Sequence, residues 1–211
     1  MKHIIKGDEP TKFSEWKAMA NKDWQPTYEN MGGDIKGAVK SALINEQGDI
    51  CCYCERRLTS NDSHIEHFRP QSDTEVDPLD FGNLLCSCQV QIKKGAPRHC
   101  GNLKGDWFVP ELLISPFDSQ CENCFAYEGD GVIKASEEHD IAAATTIDKL
   151  GLDIPKLNDM RAKAIEPFLD EDLSEEEVKS FVAGYLAKDT SGRINEFWTT
   201  IRYLFGDLAV T

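Results

Sequence analysis

Residues 51–100 read CCYCERRLTSNDSHIEHFRPQSDTEVDPLDFGNLLCSCQVQIKKGAPRHC, a stretch that opens and closes on cysteine. Cys51 and Cys54 form a Cys-x-x-Cys pair, a spacing at which one tight turn brings two thiolates within reach of a tetrahedral Zn²⁺. Cys86, Cys88 and Cys100 follow on the far side. One pair drawn from each side closes the intervening chain like a clasp, with metal standing in for core. The plainer alternative is a set of buried free thiols.

Inside the clasp lies HIEHFRP, residues 64–70, and beyond it Asn83 in FGNLLCSC. A lone histidine on an apolar strand is usually structural. Here the alternation of a strand turns neighbouring Glu66 and His67 to different sides, giving one residue for a metal and one for water. A carboxylate suits hard Mg²⁺ or Mn²⁺, and an imidazole with an ordinary pKa of about 6.5 can take a proton at neutral pH.

Taken in chain order, Cys51 and Cys54, Glu66-His67-Phe68-Arg69-Pro70, Asn83-Leu84, Cys88, and Cys100-Gly101-Asn102-Leu103-Lys104 resemble the zinc-bearing HNH endonucleases. The resemblance implies an α+β chain in which a small zinc-stapled ββα-metal core is embedded in mostly helical flanks. It implies a structural Zn²⁺ on Cys51, Cys54, Cys88 and Cys100, with His67 as the general base. Asn83 would brace the loop and orient the imidazole, and Glu66 with a helix residue would hold catalytic Mg²⁺ or Mn²⁺. Many members carry a metal-binding His or Asn directly after the last cysteine, where this chain has Gly101, so His99 and Asn102 stand as candidates for the missing ligand. His64 either assists the metal, contacts phosphate or is structural. The segment VQIKKGAPRH lengthens the usual spacing between the last two cysteines and brings Lys93, Lys94 and Arg98, which with Lys104 are the expected nucleic-acid contacts.

More narrowly, HIEHFRP joined to NLLCSC and HCGNLKGD resembles the PtuB-like HNH proteins of Septu and retron-associated anti-phage systems. That resemblance implies DNA as substrate and a PtuA-like ATPase of the ABC/SMC type as partner, with a retron reverse transcriptase and its RNA/DNA product as further company. Two other readings stay open: a non-catalytic zinc-binding adaptor, and a nuclease acting on RNA such as tRNA.

The 211 residues carry 23 Lys and Arg against 37 Asp and Glu, a formal net charge of −14. A chain this acidic repels a polyphosphate, so DNA must be held by a local basic patch or by a partner. The apolar run at the N-terminus is too short for a signal peptide and no stretch approaches a membrane span, so the expected location is the cytoplasm, where thiols stay reduced. The change of character at both ends of the cysteine-rich stretch divides the chain into a helical segment 1–50, the metal-bearing core 51–116 and a helical region 117–211. In the first segment, Trp16 and Met19 sit at helical spacing, and Ile35, Val39 and Leu43 mark a second helix after Gly32-Gly33. In the last, Ser136 is a candidate N-cap, Pro155 suits a first helical position, and Ser174 with Glu177 makes a capping box. Cys121 and Cys124 fall outside the HNH pattern and are expected as free thiols.

Overall fold

The computed structural model describes residues 1–210 apart from Gln91 and Lys93, so the expected contact of Lys93 with nucleic acid lies outside the described residues. Its centre is a pair of antiparallel strands, β1 (Ser63–His67) and β2 (Leu84–Cys88). The register sets Glu66 opposite Leu85 and His67 opposite Leu84. Every residue of β2 is buried, which its sequence LLCSC permits because neither face carries a charge. Helix α2 (Gly33–Glu46) covers the pair, burying Ile35, Val39 and Leu43 at four-residue spacing on one face. Each such side chain contributes roughly 1.5–3 kcal/mol when fully buried. A short helix α1 (Thr11–Lys17) precedes it, anchored by the fully buried Phe13.

After Cys100 the chain makes a single helical turn, α3 (Gly101–Lys104), that faces β1 and completes a ββα arrangement in miniature. Cys100 itself has φ +56°, a left-handed conformation that a side chain tolerates only when its surroundings hold it there. The region expected to be wholly helical contains a second hairpin, β3 (Phe125–Tyr127) paired with β4 (Ile133–Ala135). Strands of three residues leave no readable period; the turn residues Gly129-Asp130-Gly131 are the one local signal. Gly131 is required there, because it has φ +86° and a Cβ on it would lie 2.1 Å from the Asn158 carbonyl oxygen.

Four further helices follow, α4 (Ile141–Leu150), α5 (Pro155–Ile165), α6 (Glu175–Leu186) and α7 (Trp198–Phe205). Helix α4 begins at Asp140, whose side chain accepts from the Ala143 amide, and not at Ser136: the nearer carboxylate reaches the free N–H groups of the first turn. Pro155 is the first residue of α5, and the Ser174–Glu177 capping box forms at the start of α6. One buried core runs from Met1 through Leu43, Leu84, Leu113 and Ile133 to Leu157, with a smaller cluster of Ile165, Phe168, Val182 and Ile201 beneath α5 to α7. The changes of composition near residues 50 and 116 are therefore crossed by a shared core. Among the described residues no helix is long and apolar enough to cross a membrane.

Glu55 ties the C-terminal region to the cysteine turn. Its backbone has φ +63°, and its buried carboxylate accepts from the Thr199 amide at 2.8 Å and meets the Met1 ammonium at 3.0 Å. Beside it Arg57 donates to the Ile194 carbonyl at 2.7 Å, and the Ile194 amide donates to Gly48 at 3.1 Å.

Candidate active site and metal centre

Cys51 and Cys54 come from the turn after α2, Cys88 ends β2, and Cys100 precedes α3. Their four sulfurs lie within 4.8 Å of one another and all four residues are buried. The Cys54 and Cys88 sulfurs are 3.7 Å apart, and tetrahedral sulfurs at the usual 2.3 Å from Zn²⁺ would be spaced by about 3.8 Å. Burial, then the neighbouring Cys51, Cys54 and Cys88, push the Cys100 thiol well above its ordinary range, so four thiolates can share this space only around a cation. The donor set thus fits a metal ion, and four sulfurs would leave such an ion no open position. Among the described residues this is the one group of its kind; Cys121 and Cys124 lie outside it as free thiols.

His99 and Asn102, the candidates for a helix ligand, point elsewhere. His99 is buried with Nδ1 3.1 Å from the Cys100 sulfur and 3.8 Å from that of Cys88, so it belongs to the surroundings of the thiol cluster. The Asn102 side-chain amide donates to the Gln89 carbonyl and helps close the insert. The residue that faces β1 is Gly101: a Cβ on it would lie 2.2 Å from Glu66 Oε2 and 2.9 Å from His64 Nε2.

Between β1 and α3 opens a cleft of about 170 Å³, lined by Glu66, His67, Gln71, Gly101, Gly105 and Asp106 among others. Glu66 and His67 share this cleft, although strand alternation had set them on opposite sides, because His67 is the last residue of β1 and the chain turns away after it. His67 Nε2 lies 3.0 Å from the Pro78 carbonyl oxygen. A carbonyl only accepts, so Nε2 carries the hydrogen and the neutral ring keeps its lone pair on Nδ1. Tyr28 packs edge-on against the ring at 4.6 Å between centroids. Burial holds the imidazole below its ordinary pKa of 6.5, against the opposing pull of the Pro78 bond and Glu66.

Asn83 works on the loop and not on the ring. Its side-chain oxygen accepts from the Arg69 amide at 2.8 Å, its nitrogen donates to the Arg69 carbonyl at 2.9 Å, and its own carbonyl accepts from Phe68 at 3.0 Å. These bonds fix the chain leaving β1, while the imidazole is contacted by Pro78 and Tyr28.

Lys104 departs furthest from expectation. Its side chain is fully buried, with Nζ 3.1 Å from Glu66 Oε1 and donating to the His67 carbonyl at 2.9 Å. It is unavailable to a nucleic acid, because the buried Glu66 carboxylate needs a countercharge. The Tyr53 hydroxyl donates to the same Glu66 oxygen at 3.2 Å. Lys94 and Arg98 are exposed, as a surface contact requires. Lys104→Met should destabilise the fold by about 3–5 kcal/mol, the usual result of stranding one partner of a buried pair, as read from urea unfolding. A loss below about 1 kcal/mol would show the pair to be dispensable.

Tyr28, Tyr53, Pro78 and Asp106 were not singled out from the sequence. Tyr53 lay in view inside the Cys-x-x-Cys turn, and Asp106 directly follows Lys104-Gly105. Nothing local marks Tyr28, which lies in the turn before α2 and meets His67 across the fold.

No protein-family model matches the chain. It is similar to a protein of Vibrio cholerae serotype O1 biovar El Tor named "Retron Vc95 putative HNH endonuclease", 33% identical over 141 residues. The match takes in 63% of this chain and 65% of that protein, a little under two thirds of the relative's length. Its name agrees with the HNH and retron parts of the resemblance drawn from residues 51–104 and is silent on Septu.

Proposed function

We propose that the chain is a metal-dependent HNH endonuclease that hydrolyses phosphodiester bonds of DNA in a retron-associated defence system. The observation that carries this reading is the pairing of His67, with Nε2 committed to Pro78 and Nδ1 left basic, with the Glu66 carboxylate in one cleft. His67 takes a proton from the attacking water. The Pro78 carbonyl keeps the ring in the required tautomer and steadies the imidazolium that results. Asn83 holds the peptide that follows, so that His67 cannot swing away from the cleft.

Glu66 is the residue that would hold Mg²⁺ or Mn²⁺, with Oε1 fixed by Lys104 and Tyr53 and Oε2 left toward Gly101. Such an ion would supply positive charge to offset the negative charge developing on the phosphate in the transition state. Zn²⁺ on Cys51, Cys54, Cys88 and Cys100 is structural in this scheme. The net charge of −14 supports a partner that holds the DNA, for which an ABC/SMC-type ATPase or a retron reverse transcriptase with its RNA/DNA product is suited.

Plasmid cleavage by the purified protein, alone and with its partner, in Mg²⁺, Mn²⁺ or EDTA, tests the reading; failure to cut under every metal and partner condition would refute it. The pH profile adds a second check. A base must be neutral to act, and burial sets the His67 pKa below 6.5, so the rate should rise with pH along an acid limb centred below 6.5 and stay level above it. A cation on Glu66 pushes the limb further the same way. A limb centred above 7 would point to another base.

A further inference from the structure

With His99 turned to the thiol cluster and Asn102 bonded to Gln89, the short helix offers no side chain at the place where Glu66 Oε2 points. Residues 64 and 66 share one face of β1, as alternate residues of a strand do. His64 Nε2 stands 3.5 Å from Glu66 Oε2. Neighbouring donors around a six-coordinate ion at 2.0–2.1 Å lie about 3 Å apart, so a small side-chain rotation would bring this pair to bonding distance.

We infer that the cleft's divalent ion is held by two donors from a single strand, His64 Nε2 and Glu66 Oε2, and that Gly101 is the condition for it. Glu66 has one oxygen free for the purpose because Lys104 and Tyr53 occupy the other. The turn of α3 comes so close to the pair that a methyl at residue 101 would lie 2.2 Å from Oε2 and 2.9 Å from Nε2. A side chain there would displace the very donors it was meant to join. The strand imidazole takes over the place that a helix residue fills in the pattern this chain resembles.

The donor chemistry has a consequence for the ion. Carboxylate oxygens suit Mg²⁺ and Mn²⁺ alike, whereas imidazole favours the transition metals, so a His–Glu pair selects Mn²⁺ over Mg²⁺. The inference rests on the nuclease reading for the use of the ion but not for its binding. It is tested on the full-length His67→Ala protein, which retains the pair while removing the proposed base, by titrating Mn²⁺ and Mg²⁺ with calorimetry and following free Mn²⁺ by electron paramagnetic resonance.

One Mn²⁺ site is expected. His64→Ala should weaken Mn²⁺ about tenfold or more and Mg²⁺ much less, and Gly101→Ala should weaken both. Asn102→Ala, whose side chain is bonded to the Gln89 carbonyl, should leave both affinities alone. His64 is partly exposed, so its variant keeps the fold and decides the matter if Gly101→Ala does not fold. Mn²⁺ affinity that survives His64→Ala overturns the inference and leaves the nuclease reading standing, as does a variant that loses DNA affinity in place of Mn²⁺ affinity. A His67→Ala protein that binds neither ion removes both.

Discussion

His67→Ala should lower DNA cleavage by about 10²- to 10⁴-fold, the usual cost of losing a general base, without loss of zinc or of the folded state. The fold should survive because the neighbouring interactions use the backbone at this position: Lys104 bonds the His67 carbonyl, and β1 pairs with β2 through main-chain groups. The hydrogen bond to the Pro78 carbonyl and the Tyr28 edge contact are lost, at about 0.5–1.5 kcal/mol each. Rates measured with saturating Mn²⁺, beside a thermal melt and elemental analysis, make the test. If the folded variant kept full cleavage and full protection against phage, the adaptor reading would become the better one.

On the zinc reading, stripping the four cysteines of their ion should be the most damaging perturbation of the structure. Structural zinc sites in small domains bind with apparent free energies of about 10–16 kcal/mol, comparable with the whole stability of an ordinary domain at about 5–15 kcal/mol. The four cysteines come from three separate places along the chain, and they join the turn after α2, the end of β2 and the start of α3. Cys88→Ser or exhaustive chelation should therefore unfold the cleft together with the hairpin. Circular dichroism during titration with a strong chelator, alongside elemental analysis expected to find about one Zn per chain, checks this. Identical melting with and without metal would remove the clasp from the account.

The parts of the site legible in the sequence are those whose chemistry is local or spaced by rule. A Cys-x-x-Cys turn can be recognised without knowing its partners, and Cys88 and Cys100 then meet Cys51 and Cys54 in one cluster. The helix starts at Pro155 and Ser174 are likewise governed by the first turn alone. What stayed hidden depends on approach between distant segments. Lys104 reads as a surface cation until the burial of Glu66 is known, and His99 and Asn102 read as ligands until the direction of a single helical turn is fixed. The β3–β4 hairpin escaped because three-residue strands carry too few side chains to show alternation. Tyr28 escaped because a contact between aromatic rings leaves no trace in spacing.

The Glu55 latch has a bearing on how the protein is made. Its carboxylate sits one residue beyond Cys54 of the thiol cluster, and the hydroxyl and amide that complete its partners belong to Thr199, 144 residues later. At a synthesis rate of about 5–20 residues per second, the nascent cysteine turn waits on the order of ten seconds for that partner. Over that interval the Met1 ammonium, already made, is the countercharge at hand for a carboxylate destined for the interior. Closure of the core around Glu55 is thereby a late step of biosynthesis that waits on the C-terminal region.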